Sequence, residues 1–169
     1  MRRKVAYLGV LLAFALVLSY VESLIPFYFG IPGVKLGLAN LAVVLTLYLY
    51  GWREAILLNV MRVLLAGFMF GNLFMILYSL AGAVCSFCFM CLCKKLGCFS
   101  VLGVSMVGGV FHNVGQIVVA IFVTKTAGVA YYLPVLLISG VVTGLCIGVL
   151  TREMLKYTGS MMKKDGFGK

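Results

Sequence analysis

The chain predicts an all-α membrane protein with six transmembrane helices, forming a single integral membrane domain over residues 1–169 with both termini inside. Three observations carry this expectation. Of the residues, 64% are hydrophobic and only 11% are charged, against about 25% charged in a typical soluble domain. Apolar runs recur between short polar or Gly/Pro breaks, and a span takes roughly 20 residues. The basic residues, finally, collect at segment ends as topology signals do.

The first run, residues 5–25, follows Arg2, Arg3 and Lys4 and so imitates a secretory signal. It reaches Glu22 with no small-x-small cleavage pattern and is expected to stay as a first span. The second and third runs, 36–50 and 55–70, are short and share the break GWRE at 51–54. Longer runs at 72–93, 99–124 and 128–150 complete the six, followed by a basic cytoplasmic tail at 151–169. With the N-terminus inside, the inner segments hold Arg2, Arg3, Lys4, Arg53, Lys94, Lys95, Arg152, Lys156, Lys163, Lys164 and Lys169, while the outer ones hold only Lys35 and Lys125. This bias places both termini in the cytoplasm. It also accounts for the net charge of +10 without nucleic acid, and turns a basic inner face toward anionic lipid.

The polar residues inside the apolar runs then need a reason, because each is costly in lipid. Arg62 lies roughly 13 Å into the third helix and His112 roughly 18 Å into the fifth, at 1.5 Å per residue. Gln116 lies further out on the fifth, Glu22 near the outer end of the first and Asn40 at the outer start of the second. His112 and Gln116 share a helix face, Asn113 overlaps it, and Asn59 and Arg62 are paired in the same way. Two readings are open. One is an outward-facing pocket of Asn40, Asn59, Arg62, His112, Asn113 and Gln116, with Glu22 and Lys35 at its rim, for a small ligand carrying a carboxylate, phosphate or conjugated ring. The other pairs Arg62 with Glu22 and uses the amides as glue between helices. The loop PFYFGIPGVK, residues 26–35, is either a gate over this face or an interfacial anchor.

Other chemistry has less support. His112 is the only histidine and has no acidic neighbour in sequence, so no catalytic dyad or metal site is expected. CSFCFMCLCKKLGC, residues 85–98, has the CxxCxxC spacing of iron–sulfur ligands, but most of it lies in an apolar helix where Cys acts as a small hydrophobe. No phosphate-binding loop or dinucleotide fingerprint occurs, and no cofactor is expected. Gly140, Gly144 and Gly148 repeat every four positions and suit close helix packing; Gly9 and Ala13 do the same on the first helix, for packing or for docking a partner.

The segments IPGVKLGLANLAVVLTLYLYGWREAILLNVMRVLLAGFMFG, GGVFHNVGQIVVA and YYLPVLLISGVVTGLCIGVLTR resemble the bacterial family named both Gx transporter and heptaprenyl diphosphate synthase component I, over roughly residues 5–152. KLGLAN and HNxGQ are its specific parts. The family is similar to the S components of energy-coupling factor transporters, six-helix proteins of the plasma membrane that capture a vitamin or other scarce small molecule. The resemblance implies a coupling subunit and ATPases as partners, with small residues on the first helix, here Gly9 and Ala13, as the contact; the usual pair of alanines is absent. The second family name implies a prenyltransferase partner instead. Chain elongation needs clustered aspartates to hold magnesium against diphosphate, whereas Glu22, Glu54, Glu153 and Asp165 are the only acidic residues and are far apart in sequence. The expectation is a small-molecule-binding subunit for uptake, with a noncatalytic accessory of polyprenyl diphosphate synthesis as the alternative.

Overall fold

A computed structural model describes residues 2–24 and 37–164, with side chains from 4 to 158. The described residues form six α-helices: α1 (Arg2–Leu24), α2 (Asn40–Leu49), α3 (Trp52–Phe70), α4 (Leu73–Leu96), α5 (Val101–Thr124) and α6 (Leu133–Lys164), with a 3-10 helix at Ala127–Tyr132 before α6. Four segments are long and apolar enough to cross a membrane: Lys4–Leu24, Leu73–Leu96, Val101–Thr124 and Ala127–Thr158. Large apolar side chains such as Leu57, Phe68, Phe122 and Ile138 stand on the outside of the bundle. Lipid is the environment in which such a surface is stable.

Local chemistry sets the breaks. Gly51, at φ 102°, turns the chain between α2 and α3 in a conformation that L side chains rarely adopt. Asn72 caps α4 by accepting from the Met75 N–H at 2.9 Å. The Ser100 hydroxyl accepts from the Gly103 N–H at the start of α5. Gly97, at φ 71°, closes α4 as a left-handed C-cap.

The helices join in a defined order. Tyr20 stacks obliquely on Phe70, and Lys4 pairs with Glu54 at the opposite end, so α1 and α3 run parallel. Lys94, in the last turn of α4, donates to the Leu47 carbonyl at 2.5 Å and lies over the Tyr48 ring. Lys4, Arg53, Lys94 and Lys95 therefore share one end of the bundle. Arg152 and Lys156 belong to that end too, because Gly148 of α6 packs on the backbone of Leu102 at the start of α5.

Two elements differ from their expected form. The second run, expected as a span over 36–50, is a helix of 10 residues, about 15 Å long and half the thickness of a bilayer core. Asn40 to Leu47 are all buried, in contact with α1, α3 and α6. A helix that is apolar all round is buried on every side, and its hydropathy had the same appearance as that of a lipid-facing span. The sixth run does not end at 150, because α6 continues through the basic segment to Lys164. That segment contains neither Pro nor a capping Gly before residue 159, so nothing interrupts the helix.

The glycines on α6 are contacts inside the bundle. A Cβ on Gly109 would stand 2.3 Å from the Gly140 carbonyl oxygen, and one on Gly144 would stand 2.7 Å from the Met106 Cα. Backbone meets backbone along α5 and α6, a separation that small residues alone permit.

Candidate functional site

Polar side chains buried between the middle of the bundle and the end away from the basic residues line two small cavities. The larger, about 20 Å³, is bounded by Ser19 and Glu22 of α1, Gly37, Arg62 of α3, Ser79 of α4 and His112 of α5, with Val63, Ala66, Gly67 and Met75 as its apolar wall. The smaller, about 10 Å³, is bounded by Gly37, Asn40, Ser86, Ser105, His112, Asn113 and Thr143, with Val44, Met90 and Ile147 among its apolar wall residues. One water needs roughly 10–15 Å³. Each cavity thus has room for about one water in this state, and His112 and Gly37 belong to the walls of both.

Each helix supplies its residues by ordinary periodicity. Ser19 and Glu22 are three apart on α1, and with Ala15 they form a narrow buried stripe on a helix otherwise largely exposed. Ser105 and His112, seven apart on α5, return to one face after two turns, as do Ser79 and Ser86 on α4.

The electrostatics centre on Arg62, which is 7% exposed. Its Nη2 donates to Asn59 Oδ1 at 2.9 Å, while Nε is buried with no hydrogen-bond partner. Asn59 in turn donates to the Ala83 carbonyl at 3.4 Å, a long contact that steadies the pair against α4. Glu22 Oε1 accepts from the Gly37 N–H, so the end of α1 is tied to the start of α2. Asn113 Nδ2 donates to the Leu136 carbonyl at 2.7 Å, joining α5 to the first turn of α6.

The eight expected ligand residues divide. Arg62, Glu22 and His112 meet in the larger cavity; Asn40, His112 and Asn113 meet in the smaller. Asn59 stands behind Arg62 and outside both. Gln116 lines neither cavity, and its Cγ lies where a side chain on Gly82 would have to go. Its Nε2 is buried with no hydrogen-bond partner. Lys35 and the loop 26–35 lie outside the described residues. Gly9 and Ala13 are exposed on the outer face of α1, and nothing stands within 4 Å of a Cβ built on Gly9.

Sequence reasoning missed Ser19, Ser79, Ser86, Ser105 and Thr143. The signal was there, since each is a hydroxyl inside an apolar run, but one hydroxyl on a helix is equally satisfied by bonding back to its own backbone. Thr143 does this, donating to the Ser139 carbonyl at 2.9 Å. Among the described residues no group of three or more His, Cys, Asp or Glu is placed to hold a metal ion, and the six cysteines form no disulfide.

No curated protein and no solved structure matches the chain. A family model described as heptaprenyl diphosphate synthase component I matches residues 11–154, a stretch that takes in α2 to α5, the larger part of α1 and α6, and every described residue of both cavities. The chain belongs to the heptaprenyl diphosphate synthase component I family.

Proposed function

We propose that this protein is a noncatalytic membrane component of heptaprenyl diphosphate synthesis in the bacterial plasma membrane, one that keeps a soluble prenyltransferase beside the lipid. The match over residues 11–154 carries the reading. The acidic residues support the word noncatalytic, because Glu22, Glu54 and Glu153 stand on different helices and offer no cluster for magnesium and diphosphate. A heptaprenyl chain favours lipid by about 0.8 kcal/mol for each buried CH2, so a soluble enzyme making it gains from a partner in the membrane. The basic end with Arg53, Lys95, Arg152 and Lys156 is the surface for that partner, with the bundle seated in the bilayer, α2 buried within it and both termini on the cytoplasmic side. The test is co-expression of the chain with the soluble prenyltransferase of its host. Co-purification and a gain in chain-elongation activity are expected, and failure of both removes the reading.

A second reading is favoured by one observation, the two cavities with polar lining residues around Arg62 and His112. In it the chain is an S-component-like subunit that binds a small anionic or vitamin-like molecule for uptake, lined by Asn40, Arg62, His112 and Asn113. The exposed small-residue face of α1 with Gly9 and Ala13 would then meet a coupling subunit driven by ATPases. Native mass spectrometry of the protein from host membranes tests this. A bound polar metabolite supports it, and a prenyltransferase or polyprenyl lipid in its place returns the first reading.

A further inference from the structure

We propose that Arg62 is the seat of an oxyanion-binding site in the larger cavity, and that Glu22, on the wall of the same cavity, is its resident competitor, a like charge that weakens binding of a ligand's carboxylate or phosphate. The proposal deepens the second reading and rests on it only in requiring a small-molecule ligand.

Three features of the larger cavity support the site. Among the described residues its wall contains one guanidinium and one carboxylate, Arg62 and Glu22, brought from α3 and α1. Arg62 is more than nine-tenths buried, yet its Nε has no hydrogen-bond partner and its bond to Asn59 occupies only one corner of the fork. Native interiors leave few buried donors in that state, and in a span the expense of a cation is tolerated where a partner or cavity uses it. Ser19 and Ser79 line the same space, and a serine hydroxyl can donate as well. A guanidinium with two hydroxyls is a donor set for an anionic oxygen, which accepts from all three.

Volume limits what enters. Some 20 Å³ has room for about one oxygen of an anionic group in this state and nothing more. The rest of the molecule must therefore reach past His112 into the polar cavity on its other side, which Asn40, Ser86, Ser105 and Asn113 line with uncharged groups.

Glu22 gives the site its second property. Its Oε1 accepts from the Gly37 N–H, a bond that keeps the carboxylate at the cavity wall. There its charge offsets that of Arg62 when no ligand is present, and it repels an incoming anion. Glu22→Gln retains an oxygen acceptor for Gly37 while removing the charge. A fold held by an Arg62–Glu22 pair would lose stability from this change and gain no affinity. A ligand site with a resident competitor gains affinity.

The experiment uses the purified full chain in lipid nanodiscs, with sodium acetate or inorganic phosphate replacing sodium chloride at equal ionic strength. Melting temperature and calorimetric affinity are read. Wild type is expected to bind one of the two anions, with acetate preferred if the natural ligand is a carboxylate and phosphate preferred if it is a phosphate. Glu22→Gln should bind the preferred anion about ten-fold more tightly, the effect of removing one nearby like charge. Arg62→Gln should lose binding. If Arg62→Gln does not fold, the Glu22→Gln comparison decides by itself. The proposal is overturned if neither anion binds wild type or Glu22→Gln, if Glu22→Gln binds no more tightly than wild type, or if a folded Arg62→Gln binds as wild type does. Because the chain is assayed alone, a missing coupling subunit or absent uptake would count against the second reading and leave the anion result standing.

Discussion

Asn113 and Ser86 border the same cavity, yet the fold depends on them differently. Asn113 supplies the Leu136 carbonyl with its donor at 2.7 Å, so Asn113→Leu leaves a buried acceptor without that donor and should destabilise the protein by about 1–3 kcal/mol. Ser86 Oγ is buried with no hydrogen-bond partner, and Ser86→Ala should leave stability within about 0.5 kcal/mol of wild type. Thermal unfolding of the two variants in one detergent checks the contrast. Glu54 makes a prediction in pH. The hydrogen bond from Lys4, then one from its own backbone amide, hold its carboxyl below the ordinary value of 4.5. A carboxyl with a pKa lower in the folded state contributes stability above its unfolded pKa and loses it as pH falls through the folded one. Both side chains are partly exposed, so the contribution is below about 1 kcal/mol. Glu54→Gln should lower the melting temperature slightly at pH 7 and leave it unchanged well below pH 4.5, which a melting series across pH measures.

At the scale of helices, glycines of similar sequence appearance meet different surroundings. Gly109→Ala would bring a Cβ to 2.3 Å from the Gly140 carbonyl oxygen, so α5 and α6 must move apart. Forced separation of a packed interface costs about 1–3 kcal/mol or more. Gly9→Ala meets nothing within 4 Å and should fold as wild type. Expression yield and melting temperature of the pair test this, and equal behaviour would mean the α5–α6 approach is looser than described. The four-residue spacing of Gly140, Gly144 and Gly148 already pointed to close packing, whereas no spacing could say that α5 was the partner. α2 shows the reverse. Its hydropathy predicts a helix and a helix forms, but a short helix buried in protein and a span bathed in lipid bury the same side chains from water.

For the whole molecule, the basic residues predict a side. Arg53, Lys95, Arg152 and Lys156 share one end of the bundle with Lys4, and the cytoplasmic side is expected to hold that end. Alkaline phosphatase fused after residue 158 should be inactive and the same enzyme inserted near Lys125 active; the opposite pattern would invert the proposed topology. Composition and periodicity by themselves determined the helical class, the apolar outer surface and the positions of most helix ends, because these depend on local hydropathy, glycine and capping residues. They also marked Arg62, Glu22, Asn40, His112 and Asn113 as polar groups needing a purpose. Only the tertiary structure decided which of these meet. It put Arg62 with Glu22, Ser19 and Ser79 in one cavity, placed Asn113 and Ser86 across His112 in another, and left Gln116 outside both. The reason is geometric. Spacing along a helix fixes a residue's face and depth, but the neighbour on that face is chosen by helix packing, here by the contact of α5 with α4 and α6.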